Sequence, residues 1–429
     1  MVKIGNNNRI FVKNGQPEFY LADTCWSAFT NISEGDWDYY LDFRKSQGFN
    51  VLQINMLQQW DASQTDLTIK PFKMTEDGSF DFSSYNPAYF ERAYRMIEKA
   101  YNKGLTVALV LLWANYVPDT WASQLPIKQL GIFPENLVVS YVDEMMDRYD
   151  RFDPIYVISG DTDFPSEQVV KDYYLAALER IKANNPQALT TLHIRGREAD
   201  LPKVLKESPC LDFYMFQSGH NRDFQDMAYQ LAEQFYQMTP EKPLLNAEPC
   251  YELMGYSRRV YGRFSREDVR KVAWQSFLSG ASAGITYGAH GIWSWHDSRL
   301  GFDSTVGEAF ESPYDWRDAI HFKGAWDYSF LKTFVERNQL FDLVPNQAVL
   351  VDHSSEIRAS ENDRYLLVYL PSNIRLRLLG DWTGARKITY VDLEDHKEER
   401  VSATYSERSN QTTIDMHRFT KDALLIIEK

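Results

Sequence analysis

The stretch VISGDTDF, residues 157–164, closes an apolar run with glycine and two aspartates, Asp161 and Asp163. A second apolar run, PLLNA, ends in Glu248, with Tyr251 and Glu252 just beyond it. Other apolar runs also finish on polar or aromatic side chains: Asp23 and Trp26, Asn55, Trp113, His193, Gln217, then His290 and Trp293. An acid after PLLNA is costly to bury unless it is used or paired. Two opposed carboxylates suit glycosidic bond cleavage, one protonating the leaving oxygen while the other attacks the anomeric carbon or activates water. The surrounding amides, carboxylates and indoles suit the same chemistry, since polar groups grip hydroxyls while rings stack on C–H faces. Plainer readings exist for each. Asp161 and Asp163 could cap the next helix or hold calcium, and Asp163, just ahead of Ser166, is expected to be such a cap. Glu252 is an alternative nucleophile, but it lies four residues past its run and is expected in substrate binding or support.

These residues need elements to bring them together. Asn14-Gly15 between short apolar runs signals a β-hairpin within residues 1–19. An alternation then begins at YLADTCW and continues through FNVLQINML, TVALVLLWA, PIYVISGD, LTTLHIR, LDFYMFQS, PLLNAEP and GITYGAHGIW. Helical stretches near 33–47, 89–103, 136–150, 166–181, 199–207, 224–237, 265–280 and 315–336 separate them. Ser33 and Asp36 have capping-box-like spacing, and Gly48 and Gly104 stop two of these helices. Nearly continuous apolar runs belong to parallel strands covered on both faces. Eight such units over residues 20–340 predict an α/β fold, a (β/α)8 TIM barrel with enlarged loops. An open doubly wound sheet would carry a glycine-rich phosphate turn after its first strand, and ADTCW is not one. In a barrel the C-terminal strand ends carry function. Many barrel glycosidases place the acid after strand four and the nucleophile after strand seven, where Asp161 and Glu248 fall. From residue 345 to 429 short strand runs follow one another without helices, predicting a small antiparallel β-sandwich that docks on the barrel.

Bulk properties exclude several classes. The chain has 429 residues, 44% of them hydrophobic, enough for one large core and a smaller one. With 46 basic against 60 acidic residues the net charge is −14, which repels nucleic acid and anionic membrane surfaces. Three scattered cysteines read as reduced packing residues. MVKIGNNNRI lacks an apolar leader, so the protein is expected to be cytoplasmic as the sequence stands, or secreted if it has been trimmed. Oligomeric state is left open. His193, His220 and Asp297 raise the alternative of a metal-dependent amidohydrolase, but the H-x-H such barrels carry at strand one is replaced by A-D-T-C-W. No cofactor or metal is expected. A non-catalytic carbohydrate-binding protein is the alternative from another class.

Taken together, YLADTCW, YLDFRKSQGFNVLQ, SGDTDF, NAEPCYE and GASAGITYGAHGIW resemble the apiosidase-like glycoside hydrolases, the DUF4038 barrels that include glycoside hydrolase family 140. The resemblance spans about residues 9–340, and the downstream segment resembles the β module that often follows these barrels. It implies Asp161 as acid/base and Glu248 as nucleophile on an oligosaccharide or glycoside substrate. Their places at the strand ends, rather than the resemblance, make Asp23, Trp26, Asn55, Trp113, His193, Gln217, Tyr251, Glu252, His290 and Trp293 the expected substrate-binding rim. Related barrels carry Asn-Glu where this chain has Gly160-Asp161, and aspartate is one methylene shorter. Exo action and retention of anomeric configuration are the expectations that follow.

Overall fold

A computed structural model of the protein describes residues 1–126, 130–257, 260–302 and 311–429. Eight parallel strands form the central sheet: Tyr20–Thr24, Val51–Asn55, Thr106–Trp113, Ile155–Gly160, Thr190–Thr191, Tyr214–Phe216, Leu244–Asn246 and Gly284–Tyr287. Counted one to eight along the chain, they pair in the order five-four-three-two-one-eight-seven-six. The seam between strands five and six is closed by Asp212 N–H to Thr190 O (3.0 Å) and by the Thr191 hydroxyl to Phe213 O (2.8 Å). Strand four is buried along its whole length, as a strand covered by barrel core on one side and helices on the other must be.

Several of the helices begin where a side chain satisfies a free N–H group of the first turn. Ser33 accepts from Asp36 N–H to open Glu34–Ser46, and Ser265 and Asp268 make a reciprocal capping box at Arg266–Leu278. Ser166 accepts from Val169 N–H and starts the helix that runs through a π-turn to Asn184. The expected helix near 199–207 is a single turn, Lys203–Lys206. Between strand two and helix Pro87–Asn102 lies a hairpin of Phe72–Met74 and Phe80–Tyr85, whose alternation is too short to stand out in the sequence.

At the other end the hairpin grows to three antiparallel strands, Val2–Ile4, Phe11–Lys13 and Gln16–Glu18. Asn14 and Gly15 both have positive φ, 54° and 77°, the geometry of a two-residue hairpin turn. Phe11 is fully buried, edge-on to Phe213 at 5.0 Å and beside Tyr20, so this sheet plugs the N-terminal ends of the barrel strands.

The C-terminal region holds a six-stranded and a three-stranded antiparallel sheet. Arg358–Glu361, Glu398–Arg400 and Ala403–Ser406 are strands that the sequence pattern did not reveal, and AVLVDH (348–353), whose apolar residues read as a strand run, is overlapped by a 3-10 turn, Gln347–Val349. Side chains alternate along Tyr365–Leu370. Leu366, Val368 and Leu370 join the core between the two sheets, whereas Leu367 and Tyr369 join the barrel's own core. That is why YLLVYL is apolar throughout: both faces of the strand are covered.

Candidate active site

The C-terminal strand ends enclose a cavity of about 450 Å³. Trp26, Trp60, Trp113, Trp121 and Trp293 wall it, and Gln59, Asp61, Asp161, Arg195, Arg197, Gln217, His220, Glu248 and Tyr251 are among its polar groups.

Gly160 and Asp161 place the first acid. A Cβ on Gly160 would sit 2.0 Å from the Trp113 ring, so only glycine lets the indole lie across the end of strand four. Trp113 in turn packs on His193 (ring centres 5.7 Å apart, 30°) and on Trp26 (5.2 Å). Asp161 follows with φ 56°, a left-handed turn that aspartate tolerates better than most residues. Its N–H donates to His193 Nδ1 at 3.3 Å, so in the neutral ring Nε2 carries the proton. That Nε2 lies 3.2 Å from Glu248 Oε2. The other Glu248 oxygen, Oε1, accepts from Gln217 Nε2 (2.8 Å) and lies 2.8 Å from His220 Nε2. Trp26 Nε1 donates to the Tyr251 hydroxyl at 2.9 Å. One imidazole therefore spans both acids. A carboxylate oxygen of Asp161, a ring nitrogen of His193 and a carboxylate oxygen of Glu248 all lie within 4.8 Å of one another.

Their surroundings push the two acids apart. Burial, reinforced by the neighbouring Glu248 and Asp61 carboxylates, holds the Asp161 proton well above the ordinary aspartate range. Burial acts on Glu248 in the same direction, but hydrogen bonding and charge from His193 and His220 outweigh it and keep this carboxylate ionised below its usual range. Two acids of opposite protonation facing one cavity are the arrangement that assigns acid and nucleophile in hydrolases. Asp61 is pushed up to about 7, chiefly by burial and secondarily by Glu248.

Of the expected rim residues, Trp26, Trp113, Gln217, Tyr251 and Trp293 line the cavity with Asp161 and Glu248. Five do not. Asp23 is buried beneath the rim, where it accepts from the Tyr40 hydroxyl (2.7 Å) and pairs with Arg44 (2.6 Å), tying strand one to its helix. Glu252 is turned behind strand eight, accepting from the Tyr287 hydroxyl (2.6 Å) and Gly324 N–H (2.8 Å). Asn55 is buried in the layer below, its N–H bonded to Trp26 O. His290 stacks behind Trp293 (6.5 Å, 9°), and burial followed by Arg263 lowers it to about 3. His193 backs the two acids and does not line the cavity.

Asp163 does not cap the following helix; Ser166 does, while Asp163 accepts from Trp121 N–H (3.2 Å) and pairs with Arg195 (3.3 Å). Asp297 is held by Arg299 (2.5 Å) and Arg317 (3.2 Å), away from the two histidines, so the metal set considered from sequence is not assembled. Among the described residues, the group with metal-ligand spacing is Asp161, His193 and Glu248. Gln59, Asp61, Trp121, Arg197 and Phe302 line the cavity without having been singled out in the sequence. They sit on loops after the strands, and the one sequence signal for them was Trp60, in the middle of Gln-Trp-Asp.

A family model described as "Apiosidase-like, catalytic domain" matches residues 5–342. A solved structure described as a glycoside hydrolase superposes with a TM-score of 0.79 at 24% identity, covering 100% of this chain and 96% of its own. A glycoside hydrolase family 5 protein from Bacteroides vulgatus ATCC 8482 gives the same TM-score and identity over 100% of this chain and 93% of its own. No curated protein sequence matches the chain.

Proposed function

The chain belongs to the apiosidase-like catalytic-domain family of glycoside hydrolases, and on that premise we propose that it is a retaining, exo-acting glycosidase. The observation that carries this reading is the approach of Asp161 and Glu248 to within 4.8 Å at opposite protonation. Retaining enzymes hold their carboxyl groups about 5–5.5 Å apart, whereas inverting ones leave roughly 6.5–9.5 Å for water. Glu248 attacks the anomeric carbon, and the bond to the leaving oxygen breaks as that oxygen takes the Asp161 proton. The resulting glycosyl ester is opened by water, which gives a proton to Asp161 while its oxygen bonds to the anomeric carbon and Glu248 departs. His193 supports both acids, accepting the Asp161 N–H and presenting Nε2 to Glu248. A cavity of about 450 Å³, at the small end for ligand sites, suits one or two sugar units at a chain end. No helix among the described residues is long and apolar enough to cross a membrane.

The first-formed anomer decides the stereochemistry. On any glycoside the enzyme cleaves, proton NMR should detect the substrate's own anomeric configuration before mutarotation. Initial appearance of the opposite anomer would recast Glu248 as a general base.

Activity is also expected to survive dialysis against EDTA. Of the three residues with ligand spacing, His193 already accepts the Asp161 N–H through Nδ1, and Glu248 Oε1 is taken up by Gln217 and His220. Loss of turnover restored by zinc or manganese would instead make this trio a metal site.

A further inference from the structure

Three consecutive residues after strand two, Gln59, Trp60 and Asp61, line the cavity, and the chemistry above uses none of them. Gln59 Oε1 and Asp61 Oδ1 are both buried, and neither meets a hydrogen-bond donor among the described residues. Leaving a buried acceptor unsatisfied costs about 1–3 kcal/mol, more for a charged one, so native proteins rarely do it without a use. Asp163 and Asp297 are instead paired, with Arg195 and with Arg299 and Arg317, whereas the catalytic pair likewise keeps Asp161 Oδ1 and Glu248 Oε2 open toward the cavity. No arginine or lysine among the described residues pairs with Asp61. The wall also carries two buried indole donors, Trp113 Nε1 and Trp293 Nε1, that lack partners.

Chemistry narrows what could complete these atoms. A carboxylate oxygen and an amide oxygen facing one cavity ask for a pair of O–H or N–H donors from what binds there. Adjacent hydroxyls on a sugar ring supply that pair, and their oxygens can accept from the indole N–H groups. Trp60 sits between the two acceptors and meets Trp121 edge-on at 6.2 Å, forming an apolar wall for C–H groups.

We propose that segment 59–61 is a specificity-determining element in which Gln59 and Asp61 accept from a vicinal diol of a sugar bound in the cavity. The inference rests on the glycosidase reading and extends it to the kind of sugar held beside the catalytic acids.

The test compares Asp61→Ala and Gln59→Ala on the aryl glycoside that the wild type turns over best, and on its deoxy analogues lacking one ring hydroxyl at a time. Asp61→Ala should lower kcat/KM by about 10- to 100-fold on the parent glycoside. On the analogue lacking the hydroxyl that Asp61 contacts, the loss should shrink to less than about 3-fold. Gln59→Ala should show the same dependence on the adjacent hydroxyl. Asp61→Asn, which keeps one acceptor, should recover part of the loss on the parent. A uniform loss across parent and analogues would mean a structural or purely electrostatic role, and no loss would mean no contact; either overturns the inference. Should Asp61→Ala melt far below the wild type, Gln59→Ala carries the comparison. A wild type that cleaves no glycoside in a broad panel sinks the glycosidase reading itself, and the inference with it.

Discussion

Glu248→Gln should abolish turnover on every substrate, a loss of at least about 10^4-fold in kcat, because the proposed nucleophile is needed whatever group leaves. Asp161→Asn should behave differently. Protonation by a positioned acid contributes about 10^2- to 10^4-fold, and only where the leaving oxygen needs a proton. Aryl glycosides with acidic phenols should therefore retain most of their rate of glycosyl-enzyme formation in Asp161→Asn, while unactivated oligosaccharides lose theirs. The pH profile gives an independent check. Asp161 holds its proton well above the usual aspartate range, so the alkaline limb should lie well above that range, activity falling as Asp161 deprotonates. Glu248 is held ionised below its usual range, which puts the acidic limb at low pH, where it gains a proton. Asp161→Asn should erase the alkaline limb on activated substrates. Asp163→Asn should be much milder, since Asp163 holds Trp121 and Arg195 in place. An inactive Asp163→Asn beside an active Asp161→Asn would reverse the assignment within Gly-Asp-Thr-Asp.

Deleting the chain after Leu343 should give insoluble protein. The barrel helix Arg266–Leu278 is roofed by the six-stranded sheet, and Leu367, Tyr369, Val391, Leu393 and Leu424 belong to the barrel's own buried core. Removing them would expose one contiguous apolar face. Charged groups are buried at the same seam. Arg270 donates to Asp422 (2.5 Å) and to Asp327 (3.1 Å), with side-chain exposures of 1%, 6% and 1%. The Tyr369 hydroxyl also donates to Asp422 (3.1 Å), and Arg266 pairs with Asp327 (2.6 Å). A graded version of the deletion is Asp422→Ala, which leaves Arg270 buried with one partner fewer. It should destabilise the protein by about 3 kcal/mol, measurable by denaturant unfolding. A soluble, fully active truncation, or an Asp422→Ala protein as stable as wild type, would show that the sandwich is an independent module.

The sequence by itself determined the layered alternation of the barrel, because a parallel strand covered on both faces must be apolar along its length, as in TVALVLLW and IYVISG. It determined the hairpin turn at Asn14-Gly15, where both residues need positive φ. It also put Asp161 and Glu248 at strand ends, since an acid closing an apolar run is conspicuous whatever the fold. What it could not determine was the direction each polar side chain takes once past its strand. Asp23, Glu252 and Asp161 are all acids that close an apolar run or follow shortly after one. Asp23 is taken by Arg44 and Tyr40, and Glu252 by Tyr287 and Gly324, partners 17 to 72 residues away that only the closed barrel supplies. Asp161 is turned to the cavity by a left-handed backbone and by Trp113 lying across Gly160. The cavity wall itself belongs to loops such as 59–61, which have no periodicity to read and acquire their meaning from what packs around them. The strand positions were local information. The pairing of acids with bases, rings and one another was decided by the tertiary fold, because only there do burial and neighbouring charge set which carboxyl keeps its proton.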